Sequence, residues 1–370
     1  MALQIMHVLS RDAPGELSGV DTHVLELMVC QEAAGHRPSV IACRNSEFFV
    51  RARARGLVVH PHGAPDPYGA ARTLMRAADY NRPNVVHAHG GLASVAASVA
   101  CMLSSQLRTE ALVFTHHGTS EDTWVGRLRV RAESLAARRA DGLIACADGL
   151  VPRMRHWNKR ARLGYIPNGV EVPDLPERPL ARQALRQRFG VPSSPPLLCY
   201  VGRLAPEKAP SRVLRVAAVL GSRQIPVHTL FVGCGPQLGS LREEAARRGL
   251  SGRVTFTGLV RDMGTVYAAA DALVLLSRTE ATPRVVLEAM SCGVPVVASA
   301  VGGVPDLLGY GKYGTLTAGD DEESAVAGVL RALRLRGSEQ TVLARRHAHS
   351  EYGVERMSSR IEDFYLTALA

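Results

Sequence analysis

Short apolar runs, most of them closed by glycine, proline or histidine, alternate with amphipathic stretches from one end of this chain to the other. Runs at 3–9, 38–43, 85–89, 112–117, 141–146 and 162–167 predict about six strands in the first half. Those at 197–202, 227–233, 254–258, 271–277 and 294–299 predict about five in the second. A strand that is apolar without alternation is covered on both faces, and parallel neighbours need a crossover, usually a helix, between them. The pattern therefore predicts an α/β fold of parallel sheets. With 370 residues the chain exceeds what one hydrophobic core serves, so a single small binding module is excluded and two doubly wound domains are expected. The prolines and polar residues of 173–194 read as a linker carrying one short helix, between a first domain at 1–172 and a second at 195–351. A final helix, about 352–370, is expected to pack back on the first domain.

Composition narrows the functional class. The seven cysteines are scattered and show no C-x-x-C spacing, which argues against a disulfide framework and a zinc ribbon and points to a reducing cytoplasm. The first ten residues read as a strand and not as a signal peptide, and the longest weakly polar run is too short to span a bilayer. A formal charge of +10 favours an anionic partner. Aromatic residues make up only 5%, too few to stack successive bases, so nucleic acid is not the expected partner. A phosphorylated ligand and an anionic membrane face remain.

In open α/β sheets ligands sit beyond the carboxyl ends of the strands, so the residues that close each run matter most. After the first strand a helix begins at Gly19, where free N–H groups and the positive end of the helix dipole can receive a phosphate. The G-x-G-x-x-G of a nicotinamide-binding domain is missing. His87 and His89, two apart on a strand, share a face and could supply two metal ligands, but no third of matching spacing is visible. No metal is therefore expected, and these histidines, with His116 and His117, are candidates for lining a substrate cleft. At the end of the 197–202 run Arg203 can fork onto two phosphate oxygens and Lys208 adds a compact charge, enough for a diphosphate. After the 271–277 run, Thr282 followed by Pro283 predicts a helix with Thr282 as N-cap and Gly293 at its end. Glu280 and Glu288 would bracket that helix start, a spacing that suits a nucleotide sugar.

Read in order, Gly19, His87-Ala88-His89-Gly90, Ile166-Pro167-Asn168-Gly169-Val170, Gly202-Arg203-Leu204 with Lys208, Gly233-Cys234-Gly235-Pro236, Phe256-Thr257-Gly258, Glu280-x7-Glu288 and Gly302-Gly303-Val304-Pro305 resemble the retaining glycosyltransferases of family 4. That resemblance implies the GT-B fold, two Rossmann-like domains facing each other across a cleft. It also implies transfer of a sugar from a nucleoside diphosphate sugar to an acceptor with retention of configuration. Arg203 and Lys208 would hold the donor diphosphate, Glu280 the donor sugar and Glu288 the ribose. Gly19 would let the first-domain loop touch the phosphates, and Gly233, Gly258 and the helix start at Thr282, Pro283 and Arg284 would also contact the donor. His117, or less favoured His116, would stand near the reacting sugar. Ser18, Ala209 and Ala281 depart from the family pattern at positions where glycine is usual. No cofactor is implied: the chain has no Asp-x-Asp, and Arg203, Lys208 and the helix end would replace a metal in stabilising the leaving group.

Two other classes stay open at this point: an epimerase or phosphorylase on a similar scaffold, and a non-enzymatic sugar-nucleotide-binding protein. The acceptor is expected near His116, His117 and the segment 119–127 with Trp124, either a bacterial surface glycan or lipid-linked intermediate or a small molecule such as an antibiotic. Arg127, Arg129, Arg131, Arg138 and Arg139 share one helical stretch; Arg153, Arg155, Lys159, Arg160 and Arg162 lie in another around Trp157. Leu128, Ala132, Leu135 and Ala136 are expected to pack inward and leave a basic outer face for the inner surface of a membrane.

Overall fold

The structure, a computed structural model, describes residues 2–10, 17–63, 66–104, 110–118 and 124–370. It divides into two units, residues Met1–Gly169 with Val354–Ala370, and residues Val170–Gly353. The first unit runs β1 (Gln4–Val8), α1 (Gly19–Ala33), β2 (Arg37–Cys43), α2 (Glu47–Ala54), β3 (Val58–His62), α3 (Pro67–Asn81), β4 (Val85–His89), α4 (Gly91–Leu103), β5 (Ala111–His116), α5 (Trp124–Ala137), β6 (Gly142–Ala145), α6 (Val151–Trp157) and β7 (Arg162–Tyr165). The second runs α7 (Arg178–Phe189), β8 (Leu197–Val201), α8 (Pro210–Ser222), β9 (His228–Val232), α9 (Leu238–Arg247), β10 (Val254–Gly258), α10 (Met263–Ala269), β11 (Ala272–Leu275), α11 (Arg284–Ser291), β12 (Val296–Ser299), α12 (Val304–Leu307), β13 (Thr315–Thr317), α13 (Glu322–Ala332) and α14 (Glu339–Tyr352). Helix α15 (Val354–Leu369) returns to the first unit.

Both sheets are parallel, with strand orders β3-β2-β1-β4-β5-β6-β7 and β10-β9-β8-β11-β12-β13. Each reverses direction once, between β1 and β4 and between β8 and β11. These are doubly wound sheets of the Rossmann type, and the reversal opens a crevice at the carboxyl edge. The sequence pattern misses β3 and β13. Both lie at sheet edges, where burial is incomplete: β3 reads Val-Val-His-Pro-His, its proline tolerated because an edge strand can spare a donor, and β13 is three residues long.

Alternation of side chains sorts the first sheet into two covered faces. Met6, Val8, Val86, Leu112 and Phe114 join the helical alanines of α3 and α4 on one side. On the other, Ile5, Val85 and Val113 meet Leu27 of α1 and Met357, Ile361 and Tyr365 of α15. Each such buried side chain contributes about 1.5–3 kcal/mol, which anchors α15 to this unit. The second unit has one continuous core on both faces of its sheet.

The segment expected to be a linker is built into the second unit. Helix α7 buries Ala181, Arg182 and Leu185, and Arg182 donates to the Ala269 carbonyl (2.8 Å) and pairs with Asp271 together with Arg178. Its Arg-rich composition concealed this, because the charges that look solvated are spent on a buried carboxylate. Among the described residues no helix is long and apolar enough to cross a membrane, and none of the seven cysteines forms a disulfide.

Candidate active site

At the carboxyl edge of the second sheet the chain ends interlock. Gly202 donates to the Val232 carbonyl (3.0 Å), Leu204 to Cys234 (2.8 Å) and Gly233 to Gly258 (2.9 Å). A Cβ on Gly233 would lie 2.1 Å from the Gly202 carbonyl oxygen, and one on Gly235 would lie 2.3 Å from that of Leu204. Only glycine permits this approach, and it fixes Arg203 at the rim, half-exposed and 3.7 Å from Glu207. A single 3₁₀ turn at Pro206–Lys208 follows, tied to the loop after β11 by the Arg278 N–H donating to the Glu207 carbonyl (2.9 Å). That bond brings Lys208 and Glu280 together: the Lys208 Nζ lies 2.6 Å from Glu280 Oε2, and Ser277 donates to Oε1 at 2.7 Å. Glu280 is thus a buried carboxylate held between a cation and a hydroxyl. Ala209, where the family usually has glycine, does adopt φ +42° and ψ +50°, a left-handed conformation that costs a residue with a Cβ about 1–2 kcal/mol.

Helix α11 starts one residue later than Thr282-Pro283 predicts. Pro283 occupies the capping position with ψ at 111°, no side chain caps the helix, and Arg284 is the first helical residue. Thr282 and Arg284 are both buried, and Gly293 follows the helix with φ +66°. One helical turn on, Glu288 accepts from the Tyr267 hydroxyl (2.7 Å) and lies 3.9 Å from Arg284 Nε. Burial, reinforced by the Glu288 charge, pushes the Tyr267 hydroxyl well above its usual range. Burial does the same to Tyr200, helped by Glu280, and its hydroxyl donates to the Arg203 carbonyl at 2.8 Å. Tyr200, Tyr267 and Ser277 escaped the sequence reading. The only signal for them was a polar atom inside an apolar run, which has to find a partner.

In the first unit Gly19 opens α1 as predicted, with Ser18 as its N-cap. Ser18 and Asp21 form a reciprocal capping box (Asp21 N–H to Ser18 Oγ 3.2 Å, Ser18 N–H to Asp21 Oδ2 2.8 Å). The Asp21 N–H is therefore already used and its carboxylate adds negative charge, which narrows what this helix end offers an anion to Gly19 and Val20. Residues 11–16 of the preceding loop lie outside the described residues.

The histidines are more numerous and closer than their spacing suggested. His7, His87 and His89 share the face covered by α1 and α15, and His23 of α1 and His117 join them. Two sets, His7 with His87 and His89, and His23 with His89 and His117, have ring nitrogens within 4.8 Å of one another. The apparent lack of a third ligand is thereby corrected, since the missing partners come from elements far away in sequence. Burial holds four of these rings neutral: His7 falls to about 4 and His117 to about 3, and His87 and His89 drop well below the usual range with help from their neighbours. His116, the adjacent residue, points to the opposite face. It meets Glu133 of α5 (2.8 Å, both 2% exposed) and the edge of Trp157. His117 alone of the pair is on the side of the other histidines, and it is only partly buried.

Two expectations for the basic surface also change. Leu128 and Leu135 are 57% and 59% exposed and stand with the arginines, not against the sheet; Ala136 is buried as expected, with Gly126, Val130, Glu133 and Ala137 beside it. Trp157 packs on His116 under Arg153, so the exposed aromatic residue is Trp124. The proposed acceptor residues 119–123 lie outside the described residues.

Comparison with known proteins identifies the architecture. The family description "Glycosyltransferase Family 4" matches residues 17–173, and "Glycosyl transferases group 1" matches 181–354. The chain belongs to glycosyltransferase family 4. It is 36% identical over 213 residues to a D-inositol 3-phosphate glycosyltransferase of Mycolicibacterium paratuberculosis, an alignment covering 55% of this chain and 48% of that protein. The chain thus spans about half the length of the curated relatives it matches. HepE of Anabaena, solved with UDP-glucose, superposes with a TM-score of 0.84 at 21% identity, covering 99% of this chain and 100% of that one. WaaG, a glycosyltransferase involved in lipopolysaccharide biosynthesis, superposes at 0.71 and 19%, covering 97% and 98%. These likenesses show the GT-B fold of two Rossmann-like domains.

Proposed function

We propose that this family 4 member is a metal-independent, retaining glycosyltransferase that takes its sugar from a nucleoside diphosphate sugar. The Lys208–Glu280 pair at the β8/β11 crevice carries this reading. It sets a cation suited to a diphosphate against a carboxylate suited to sugar hydroxyls, with Arg203 at the same rim. In transfer the bond from the anomeric carbon to the phosphate oxygen breaks and its electron pair leaves with the diphosphate, stabilised by Arg203, Lys208 and the start of α11. The acceptor oxygen bonds the anomeric carbon on the same face, and its proton passes to the departing phosphate oxygen. Glu280 holds the donor sugar, Glu288 the ribose, and His117 serves the reacting sugar. Gly19, Gly233, Gly258, Thr282, Pro283 and Arg284 shape the donor contacts. UDP-glucose in the HepE neighbour supports a uridine donor as the first to be tried.

Glu288→Gln is expected to weaken binding of free nucleoside diphosphate, whereas Glu280→Gln spares it and damages transfer. Thermal shift reads the difference, since a ligand at 100 times its Kd adds about 2.7 kcal/mol. Equal effects of the two variants would show the carboxylates wrongly placed along the ligand. Donor incubated alone and then with phosphate separates transfer from epimerisation and phosphorolysis.

For the acceptor, exposed Trp124, Leu128 and Leu135 among the arginines of α5 favour a glycan or lipid-linked molecule presented at the cytoplasmic face of an anionic membrane. The inositol phosphate relatives favour a small polar acceptor as the second reading. If α5 docks, the protein cosediments with vesicles containing anionic lipid and is released by raised salt. Leu128→Ser with Leu135→Ser weakens binding even at low salt; absence of binding at low ionic strength directs the acceptor search to soluble molecules.

A further inference from the structure

Of the two histidine sets, one has its lone pairs spent. Both nitrogens of His87 are engaged, Nδ1 with the Tyr365 hydroxyl and Nε2 with Thr115 Oγ1, each at 2.6 Å. In the other set, the hydrogen bonds behind His89 dictate its protonation. Gln31 donates its amide N–H to Tyr365 (3.4 Å), which turns its oxygen to His7 Nε2 at 2.8 Å. That oxygen can only accept, so His7 carries its proton on Nε2 and leaves Nδ1 bare. His7 Nδ1 then accepts from His89 Nε2 (3.0 Å), and the lone pair of His89 falls on Nδ1. His89 Nδ1 faces His117 Nε2 at 3.4 Å, which is about the ligand-to-ligand edge of a tetrahedron with metal–nitrogen bonds of roughly 2.0–2.1 Å. His117 Nδ1 lies 3.5 Å from the buried Cys146 thiol, whose sulfur can take the N–H when Nε2 turns to a metal. The His23 ring meets His117 edge-on with centroids 4.9 Å apart, and its nitrogen completes a set within 4.8 Å.

We propose that His23, His89 and His117 form a binding site for a zinc ion, with Gln31, His7 and Cys146 orienting the ligands and the fourth coordination position open beside the partly exposed His117. Neutral imidazoles with oriented outer nitrogens are what zinc selects. Zinc bound there occupies His117 Nε2 and inhibits transfer. The inhibition rests on the role given to His117 under the proposed function; the binding does not.

The test uses untagged protein stripped with EDTA. Cobalt(II) should produce a saturable visible ligand-field band that zinc displaces, and calorimetry should count one zinc per chain. Zinc should inhibit turnover, and EDTA should restore it to the level of metal-free protein. His23→Gln should lower zinc affinity by about 10- to 100-fold or more and remove the band, leaving metal-free turnover unchanged. Should that variant not fold, His117→Asn at the sheet rim reports the same loss of the band. A wild-type protein without the band, or a band that survives in either folded variant, overturns the site. Zinc binding without inhibition upholds the site and overturns the role of His117 in transfer.

Discussion

Replacement of Lys208 by alanine is expected to lower turnover by roughly 10²–10³, and Arg203→Ala by the same order, with both proteins still folded. The magnitude is that of one preorganised charge lost from the place where charge develops on the leaving diphosphate. Lys208 has a second task that Arg203 lacks. Its side chain is 29% exposed and holds the 4% exposed carboxylate of Glu280, so its removal leaves Glu280 with Ser277 alone. Losing a charge-assisted hydrogen bond costs about 1–3 kcal/mol, which a domain stable by about 5–15 kcal/mol survives. Lys208→Ala should therefore lower both turnover and melting temperature, whereas Arg203→Ala, whose partner Glu207 lies at a looser 3.7 Å, lowers turnover alone. Steady-state kinetics at saturating donor, set beside thermal melts, separate the two. Near-normal turnover in either variant removes the diphosphate assignment.

That Arg203, Lys208, Glu280 and Glu288 lie along one edge was legible because a parallel sheet brings all its strand ends to one side. A cation after one apolar run and a carboxylate after another must then be near each other, whatever lies between. The direct Lys208–Glu280 contact, 72 residues apart, and the Tyr267–Glu288 bond were not legible, since they depend on where a 3₁₀ turn and a helix face come to rest. The same limit applies to the histidines. Strand parity put His87 with His89, but His7, His23 and Tyr365 join them only through topology. Helix α5 misled for a different reason. Leu128 and Leu135 lie seven apart and mark one face of a helix, and apolar spacing alone says that this face is buried. The buried face instead carries Glu133, hydrogen-bonded to His116 on the sheet, and small residues that let the helix approach closely. A buried hydrogen-bonded pair inverts the hydrophobic pattern, and nothing local announces it.

Gly302→Ala is expected to disable transfer from a position that carries no functional group. After β12 the chain turns back under the Glu280 loop, where the Gly303 N–H donates to the Ala281 carbonyl at 2.9 Å. Gly302 sits there with φ +55°, and a Cβ on it would lie 1.7 Å from the Glu280 carbonyl oxygen and 2.7 Å from its carbonyl carbon. Ordinary contact needs about 3.5 Å, so the two backbones must part by more than an ångström, and Glu280 moves with its own main chain. A misplacement of about 1 Å at a reacting group costs on the order of 10² in rate. Nucleotide binding through Glu288, which Tyr267 of another helix holds in place, should survive. Alanine at φ above zero also carries conformational strain of about 1–2 kcal/mol irrespective of any clash. Gly190→Ala isolates that component, because Gly190 has φ +70° with nothing within 4 Å of the added carbon. Both variants should lose stability, with Gly302→Ala losing more, but only Gly302→Ala should lose turnover while retaining affinity for free nucleoside diphosphate. Equal turnover in the two would mean that the Glu280 backbone yields without displacing its carboxylate, and that the position of this carboxylate is not what transfer depends on.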